Sequence, residues 1–419
     1  MTAQHSLPGP SRRDVLRGAG GLAALGALAA CGSNTGRPQE DTTGLSQWYH
    51  QYGEAGTQQA AKRYAKAYKD ASVSVQWVPG DYAKKLSSGL LSSDGPDVFE
   101  YQFNQSLAKA KQVVALDDVV ADVKDDFNEI DLATNTYEGK LYGIRMIDDP
   151  QLIYYRKSLL SKAGIEPPDT VDKLVAAAKA LTRDKRKGLF AGNDPGLPLG
   201  QVALVAAGHD LLTEGDRPEP DLANARTAKA LSALRQMYVD KSLLVGNPTD
   251  WTDPSAFTQE LVAMQWLGLW AMPAVQKAFG DDFGVLPFPA LDDEGKASVY
   301  SGGWTAFVSA KAKDVDAAKA YLKWLWVDKT DFQEDWCLSY GFHIPPRKSL
   351  AEKAEKLQSG PAAEAVRLNS ERGIADFPAW TPTMRTAFND AVNRIVRKGT
   401  KPQTEMTKVA AKVRKELAG

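Results

Sequence analysis

Apolar residues after position 44 fall into short runs that alternate with an amphipathic stretch. Leu45 to Tyr49 and Val73 to Val78 are typical of short strands, and Thr57 to Tyr68 between them is typical of a helix. A third apolar run, at 97–101, follows the turn signal Asp94-Gly95-Pro96. This alternation predicts an α/β domain with a largely parallel sheet.

A second α/β series follows Gly139. Asp169 or Thr170 is the expected N-cap of one of its helices. The pattern predicts a strand at 153–155, helices at 157–163 and 171–181, a loop at 192–200, helices at 201–207 and 226–239, a strand ending at 283–287, an apolar crossing at 299–309 and a helix at 312–326.

Composition excludes several classes of protein. The chain has 419 residues, 43% of them hydrophobic and 25% charged. This length and hydrophobic content are enough for two or three domains, each with its own core. It carries 51 basic and 52 acidic residues, so no net positive charge attracts nucleic acid. Two cysteines cannot build a disulfide framework, and four scattered histidines do not indicate a zinc centre. We therefore expect no cofactor, no metal and no nucleic-acid partner.

The first thirty residues have the order of an export signal. Arg12-Arg13 precedes an apolar run of small residues, Gly18 to Ala30, and the run ends in Leu28-Ala29-Ala30-Cys31. Thirteen helical residues span about 20 Å, which is shorter than the roughly 30 Å hydrocarbon layer of a membrane. The segment resembles a twin-arginine signal joined to a bacterial lipoprotein box. Val15 stands where such signals usually carry Phe, so the twin-arginine and general secretory routes both stay open.

That resemblance implies a lipid-anchored mature protein. Residues 1–30 form the signal peptide that is removed, Cys31 receives a diacylglycerol, and residues 31–42 form a lipidated tether. Removal of the signal leaves 48 basic and 51 acidic residues, because 1–30 holds three arginines and one aspartate. We expect the protein on the outer face of the cytoplasmic membrane.

The order of several short segments resembles the extracellular sugar-binding proteins of bacterial ABC importers, the maltodextrin-binding type of solute-binding protein family 1. The matching segments are GPDVFEY at 95–101, YEGKLYGI at 137–144, LIYYRKSLLSKAGIEPPDTVDKL at 152–174, ELVAMQWLGLW at 260–270, FGVLPFPA at 283–290 and SGGWTAFVSAKAKDVDAAKAYLKWL at 301–325. Arg145 is a departure, because the family often has Pro after YGI.

The resemblance implies a two-lobed α/β clamp, the periplasmic-binding-protein fold, with a hinged cleft between its lobes. Lobe one is expected at 43–146 plus 301–346, and lobe two at 147–300 plus 347–419. A ligand that touches both lobes favours the closed state, which docks on a membrane permease. We expect a monomer whose partners are a saccharide, the ABC permease subunits and, through its anchor, the membrane.

Candidate ligand contacts combine aromatic rings with polar groups, because a sugar presents flat C–H faces and a ring of hydroxyls. Strand ends and loops supply several, since ligands of α/β sheets bind beyond the carboxyl ends of the strands. Others fall at positions where the family carries ligand contacts, or at the places near Ser301 and Arg347 where the chain is expected to cross between the lobes. The candidates are Trp48, Tyr101, Asn104, Asp148, Asp149, Trp270, Gly303, Trp304, Arg347 and Trp380, each weighed against a role in packing or in a solvated loop.

Other functions remain open at the level of sequence. A glycosidase needs two carboxylates facing each other across a glycosidic bond, and nothing in the sequence singles out such a pair. HExxH, Walker and GxSxG motifs are absent from the sequence. A binding protein for glycerol phosphate or a polyamine is the other alternative, with Arg145 and Arg347 or Asp148 and Asp149 as its contacts.

Overall fold

The computed structural model describes residues 44–215 and 217–418. The predicted signal peptide, the tether and Cys31 lie outside the described residues.

The first part of the described chain forms a series of parallel strands and short helices. Asp81 caps the second helix, because its carboxylate accepts a hydrogen bond from Lys84 N. In chain order the elements are β1 (Leu45–His50), α1 (Thr57–Ala67), β2 (Val73–Val78), α2 (Tyr82–Gly89), β3 (Val98–Tyr101), α3 (Gln105–Lys109), α4 (Asp117–Val120), a 3-10 turn at Lys124–Asp126, α5 (Glu129–Thr134), β4 (Thr136–Tyr137) and β5 (Lys140–Leu141). The predicted strands and helix of this region are confirmed.

The central part begins with a long strand. Its elements are β6 (Ile144–Tyr155), α6 (Lys157–Lys162), α7 (Val171–Leu181), β7 (Lys187–Phe190), α8 (Gly196–Ala206), α9 (Ala225–Val239), α10 (Ser255–Thr258), β8 (Val262–Gly268), a 3-10 turn at Leu269–Ala271, α11 (Met272–Phe279) and β9 (Gly284–Leu286). Thr170 is the N-cap of α7, as predicted, and its hydroxyl accepts from Lys173 N.

The last part carries the second long strand and contributes helices to both hydrophobic cores. Its elements are β10 (Val299–Val308), α12 (Val315–Lys323) with a π turn at Trp324–Asp328, α13 (Thr330–Leu338), α14 (Lys348–Ala351), a 3-10 turn at Glu355–Leu357, α15 (Gly360–Arg372), β11 (Gly373–Ile374), α16 (Pro382–Asn393) with a π turn at Arg394–Lys398, and α17 (Pro402–Leu417). Gly399, at φ 70°, follows the second π turn as its C-cap.

The predicted loop at 192–200 is wrong in its second half, because α8 begins at Gly196. A Cβ on Gly196 would lie 2.7 Å from Asn389 O, and one on Gly200 would lie 2.6 Å from the Phe388 ring. The two glycines therefore let α8 approach α16 closely. This packing outweighs the low helix propensity of Gly and Pro on which the prediction rests.

The sheet runs in the order β2-β1-β3-β10-β6-β8-β7, with β11 attached to β10 and β9 to β6. β1 is parallel to β2 and β3, and β7 is parallel to β8. We call the half with β1–β3 lobe one and the half with β7–β9 lobe two. β6 and β10 pair antiparallel and belong to both halves, since strands of 12 and 10 residues span about 40 and 33 Å.

Each lobe has an apolar interior. The lobe-two core lies against the sheet and includes Leu174, Leu204, Leu231, Phe388 and Val409, each from a different helix. Cys337 is fully buried, and burial raises the pKa of its thiol, as expected of an inert core cysteine. Among the described residues, each helix is too short or too polar to cross a bilayer.

Candidate ligand-binding site

The pairing of β10 leaves an opening between the lobes. β6 occupies one edge of β10 from Tyr300 to Ala306. On the other edge, β3 pairs with Thr305 to Val308 and β11 pairs with Val299 and Tyr300. In the described part of the chain, no strand covers Ser301 to Trp304 on that edge. The carboxyl ends of β3 and β11 face each other across this opening, where ligands of α/β sheets bind.

Trp304 is half-buried at the lobe-one end of the opening and belongs to a group of packed rings. Its indole stacks on His50, with ring centroids 3.9 Å apart and planes inclined by 18°. His50 in turn lies 3.9 Å from the ring of Tyr52, and Tyr82 meets Trp304 edge-on at 6.2 Å. His50 ends β1 and Trp304 lies on β10, so two strands of the sheet that are separated by β3 both contribute to this aromatic group.

Glu100, which is 1% exposed, fixes the aromatic group from inside the lobe. Its Oε1 lies 2.5 Å from His50 Nδ1, and its Oε2 accepts a hydrogen bond from the Tyr52 hydroxyl at 2.6 Å. The Tyr82 hydroxyl donates to the Glu100 carbonyl oxygen at 2.7 Å. Burial, and then the charge of Glu100, raises the pKa of both tyrosines, which keeps them neutral donors.

The lobe-two side of the opening carries a charged network. Asp376 Oδ2 accepts from the Tyr300 hydroxyl at 2.7 Å and from Arg385 Nη2. Burial alone would lower the pKa of Arg385, but the charges and hydrogen bonds of Asp376 and Tyr300 together more than offset it, so that pKa is raised. Burial raises the pKa of Tyr101, and the positive charge of Arg385 partly counters that effect. The charge of Arg385 therefore acts on Tyr101 at the end of β3.

A second aromatic pair lies at the carboxyl ends of the lobe-two strands. The rings of Trp251 and Trp270 are 5.9 Å apart and inclined by 58°. Trp270 Nε1 donates to the Thr252 carbonyl oxygen at 3.0 Å, and both indoles stay half-buried. We call β6 and β10, which belong to both lobes, the hinge strands. Gly268, two residues before Trp270, pairs with Gln151 of β6, so the two tryptophans border the hinge strands.

Beneath the opening, Arg145 joins the two hinge strands. Its Nε donates to Asp148 Oδ1 and its Nη2 to the Gly302 carbonyl oxygen, both at 2.6 Å, and Asp131 Oδ1 lies 3.3 Å from Nε. Burial, and then the charge of Asp148, raises the pKa of Asp131. Gly303 has φ 136°, and a Cβ there would lie 2.1 Å from the Ile147 carbonyl oxygen. Arg145, at the position where the family often has Pro, therefore has a structural role.

A second buried network ties three segments together near the hinge. His343 Nδ1 lies 2.6 Å from Asp149 Oδ1, and its Nε2 lies 3.3 Å from Glu54 Oε1. Burial disfavours the imidazolium, but the charges and hydrogen bonds of Asp149 and Glu54 dominate and raise the pKa of His343 to about 10. His343 is therefore protonated at neutral pH, and its imidazolium pairs with the Asp149 carboxylate.

Comparisons with known proteins decide the family. The model of the family described as bacterial extracellular solute-binding protein matches residues 59–365. This chain belongs to that family. The diacetylchitobiose binding protein DasA of Streptomyces coelicolor is 25% identical over 357 residues, 80% of each chain. The arabinooligosaccharide-binding protein of Bacillus subtilis is 23% identical over 396 residues, 88% of this chain and 90% of that one.

Solved structures establish the fold of this solute-binding protein. The GacH receptor of Streptomyces glaucescens, solved unliganded and with acarbose, superimposes with a TM-score of 0.75 at 23% identity, over 90% of this chain and 98% of that chain. A solute binding protein of Thermotoga lettingae bound with α-D-tagatose gives a TM-score of 0.75 at 20% identity, over 90% and 100%. The predicted two-lobed clamp is confirmed.

Five of the predicted ligand contacts of this solute-binding protein lie at or near the opening. Tyr101 and Trp304 are half-buried at its lobe-one end, and Gly303 forms part of its floor. Asn104 lies three residues after β3, but its side chain caps α3 by accepting from Ser106 N. Trp270 lies beside the hinge strands at the lobe-two end. These positions are consistent with ligand contact, which stays a prediction.

The structure gives the other predicted contacts structural partners. Trp48 is 6% exposed because it points to the face of β1 that packs on α2, where Lys85 lies over its ring at 5.3 Å. Trp380 is 2% exposed and packs edge-on against Phe388. Arg347 donates to Asp126 at 2.6 Å and to the Val327 carbonyl oxygen at 3.1 Å. Asp148 and Asp149 are held by Arg145 and His343. None of these five side chains is free for a ligand.

Sequence reasoning missed five residues that border the opening or its lobe-two end. His50 had a usable signal, since it directly follows a predicted strand that ends at the binding edge. Arg385 and Asp376 had none, because only the packing of β11 and α16 brings them to the opening. The missed residues are His50, Trp251, Tyr300, Asp376 and Arg385.

Proposed function

We propose that this solute-binding protein holds a mono- or oligosaccharide over Ser301–Trp304 and delivers it to the permease of an ABC importer. The observation that carries the proposal is the half-buried indole of Trp304 in an opening bordered by hydrogen-bonding side chains. An indole packs on the C–H face of a sugar ring, while Arg385, Asp376 and Tyr101 offer partners to its hydroxyls.

The relatives support a saccharide over other solutes. Their names and titles include diacetylchitobiose, arabinooligosaccharides, acarbose and α-D-tagatose. The electrostatics of the opening agree, because the charge of Arg385 is already balanced by Asp376 and leaves no surplus for a phosphate. A polyamine needs uncompensated carboxylates, whereas Asp148 and Asp149 are paired with Arg145 and His343.

We propose that the chain binds its ligand without converting it. A glycosidase needs one carboxylic acid and one carboxylate facing across the scissile bond. Glu100 is turned into lobe one and engaged by His50 and Tyr52, and Asp376 is engaged by Tyr300 and Arg385. Both carboxylates therefore serve to orient their neighbours.

We propose further that the protein acts as a monomer, held by a diacylglycerol on Cys31 to the outer face of the cytoplasmic membrane. The lipoprotein box at 28–31 and the polar tether at 31–42 support this placement. The family supports it as well, since its members are extracellular.

Intrinsic tryptophan fluorescence tests the proposed function. The mature chain carrying Cys31→Ser is titrated with mono- and oligosaccharides, and with glycerol phosphate and spermidine as controls. We expect a saturable response to one sugar series, because ligand over the opening changes the surroundings of Trp304. A response to glycerol phosphate or spermidine with silence across the sugars would contradict the saccharide assignment.

A further inference from the structure

Lobe one and lobe two are joined by a main-chain hydrogen bond away from the hinge strands. Gln105 N donates to the Pro378 carbonyl oxygen at 2.7 Å. Gln105 is the first residue of α3, four residues beyond the end of β3. The N–H groups in the first turn of a helix have no partner within the helix, so this donor is free for a partner from outside.

The acceptor belongs to a segment that is firmly attached to lobe two. We call residues 375–379 the strap. The Ala375 carbonyl oxygen accepts from Gln201 Nε2 at 3.3 Å, and Asp376 holds Tyr300 and Arg385. Phe377 and Ala379 pack against the lobe-two core, and the strap ends at the buried Trp380. The strap therefore moves with lobe two.

The hydrogen bond spans the opening described above. Tyr101, which pairs with Thr305, marks its lobe-one side, and Ile374, which pairs with Tyr300, marks its lobe-two side. Gln105 lies just beyond Tyr101 and the strap just beyond Ile374. A link between these two segments therefore crosses the gap over Ser301–Trp304.

We propose that the strap is a latch, which holds the two lobes closed over Ser301–Trp304 through the Gln105–Pro378 hydrogen bond before any ligand is bound. The latch supplies part of the free energy of lobe closure, so the ligand has to supply less of it. The closed state is then already populated before the ligand binds. The effect of the latch on affinity rests on the proposed function, but its effect on closure does not.

A proline substitution isolates the latch. Proline is well tolerated at the first position of a helix, where it removes only an N–H that the helix does not use. Gln105→Pro therefore deletes the donor, whereas the matched control Gln105→Ala removes the side chain and keeps the donor. The mature protein carrying Cys31→Ser receives spin labels at Lys84→Cys in lobe one and Lys401→Cys in lobe two, both exposed positions.

The distance between the labels is measured by double electron–electron resonance without ligand. We expect one dominant short distance in the parent and in Gln105→Ala. In Gln105→Pro the ratio of closed to open molecules should fall about two- to tenfold, the effect of one hydrogen bond. Identical distributions for Gln105→Pro and Gln105→Ala would overturn the latch.

A second variant keeps the test decisive if Gln105→Pro does not fold. Asp376→Asn preserves the volume of the side chain and loosens the strap from Arg385. It should open the ligand-free protein in the same direction, and an unchanged distance would overturn the proposal. Because no sugar is present, failure of the latch is distinct from failure of the saccharide assignment, which the fluorescence titration reports.

Discussion

Individual residues at the opening are oriented by partners that are themselves buried or tied down. Glu100 holds His50 against Trp304, and Asp376 holds Arg385 at the lobe-two side. Side chains fixed in this way lose little conformational entropy when a ligand arrives, which favours affinity. The same residue types on a loose loop would have to be ordered by the ligand.

Arg385 provides a test of the lobe-two wall. Arg385→Lys removes the planar guanidinium and keeps the charge, so we expect binding of the best sugar of the fluorescence panel to weaken by at least about tenfold, the scale of one charge-assisted hydrogen bond. Calorimetric titration measures the affinity of each variant for this sugar. Arg394→Lys, whose parent residue pairs with Glu405 away from the opening, is the control and should bind normally. Equal affinities would remove Arg385 from the site.

His343 gives a prediction about pH. Its pKa is raised from 6.5 to about 10 in the folded protein. Its stabilising effect is therefore fully present below about pH 6.5 and is lost as the pH rises through about 10. His343→Gln should lower the free energy of unfolding by about 3 kcal/mol at pH 7, because it leaves Asp149 and Glu54 without their cation.

Urea unfolding of parent and His343→Gln at pH 7 and pH 10 measures this effect. The difference between the two proteins should shrink at pH 10. His209→Gln is the control, since His209 is a half-exposed histidine beside Asp221 in lobe two. A difference for His343→Gln that is independent of pH would show that the imidazolium charge is not what stabilises this network.

At the scale of the elements, β10 determines where the opening lies. Its Gly302-Gly303 pair allows it to run close to β6 above Arg145. Gly303→Ala places a Cβ 2.1 Å from Ile147 O at φ 136°, so we expect it to cost about 3 kcal/mol of unfolding free energy. In the control Gly302→Ala the nearest atom is the tip of the flexible Gln151 side chain, at 2.8 Å, and the cost should stay below about 1 kcal/mol.

Urea unfolding of both alanine variants gives the comparison. Equal stabilities would mean that the backbone of β10 relaxes freely at Gly303, and that the close approach of the two hinge strands is not required.

Local pattern predicted most of the elements, because strands β1 to β3 and helix α7 carry their own periodicity and caps. Prediction from the local pattern failed where contacts between distant segments of the chain determine the structure. α8 starts early because of its packing on α16, and Trp48 and Trp380 turned out to be buried because aromatic type does not reveal which face a residue occupies. Arg385 and Asp376 reach the opening through contacts that the sequence does not display.

At the scale of the whole molecule, the proposed function combines a two-lobed clamp with a lipid anchor. Cys31→Ser should release the protein from the cell surface into the medium, since the lipid on the Cys31 thiol is the proposed membrane anchor. Cell fractionation with immunoblotting measures the distribution, and Ser33→Ala, two residues away in the tether, is the control. Retention of Cys31→Ser on membranes would contradict the lipid anchor.

The most direct test of the central claim is a calorimetric titration of one sugar into three proteins: the parent, Trp304→Ala and Trp324→Ala. Trp324 is also half-buried, but it packs against Tyr68 and Phe332 away from the opening. We expect Trp304→Ala to weaken binding at least about tenfold, equivalent to about 1.4 kcal/mol, and Trp324→Ala to bind like the parent. Unchanged affinity in Trp304→Ala would place the sugar site elsewhere.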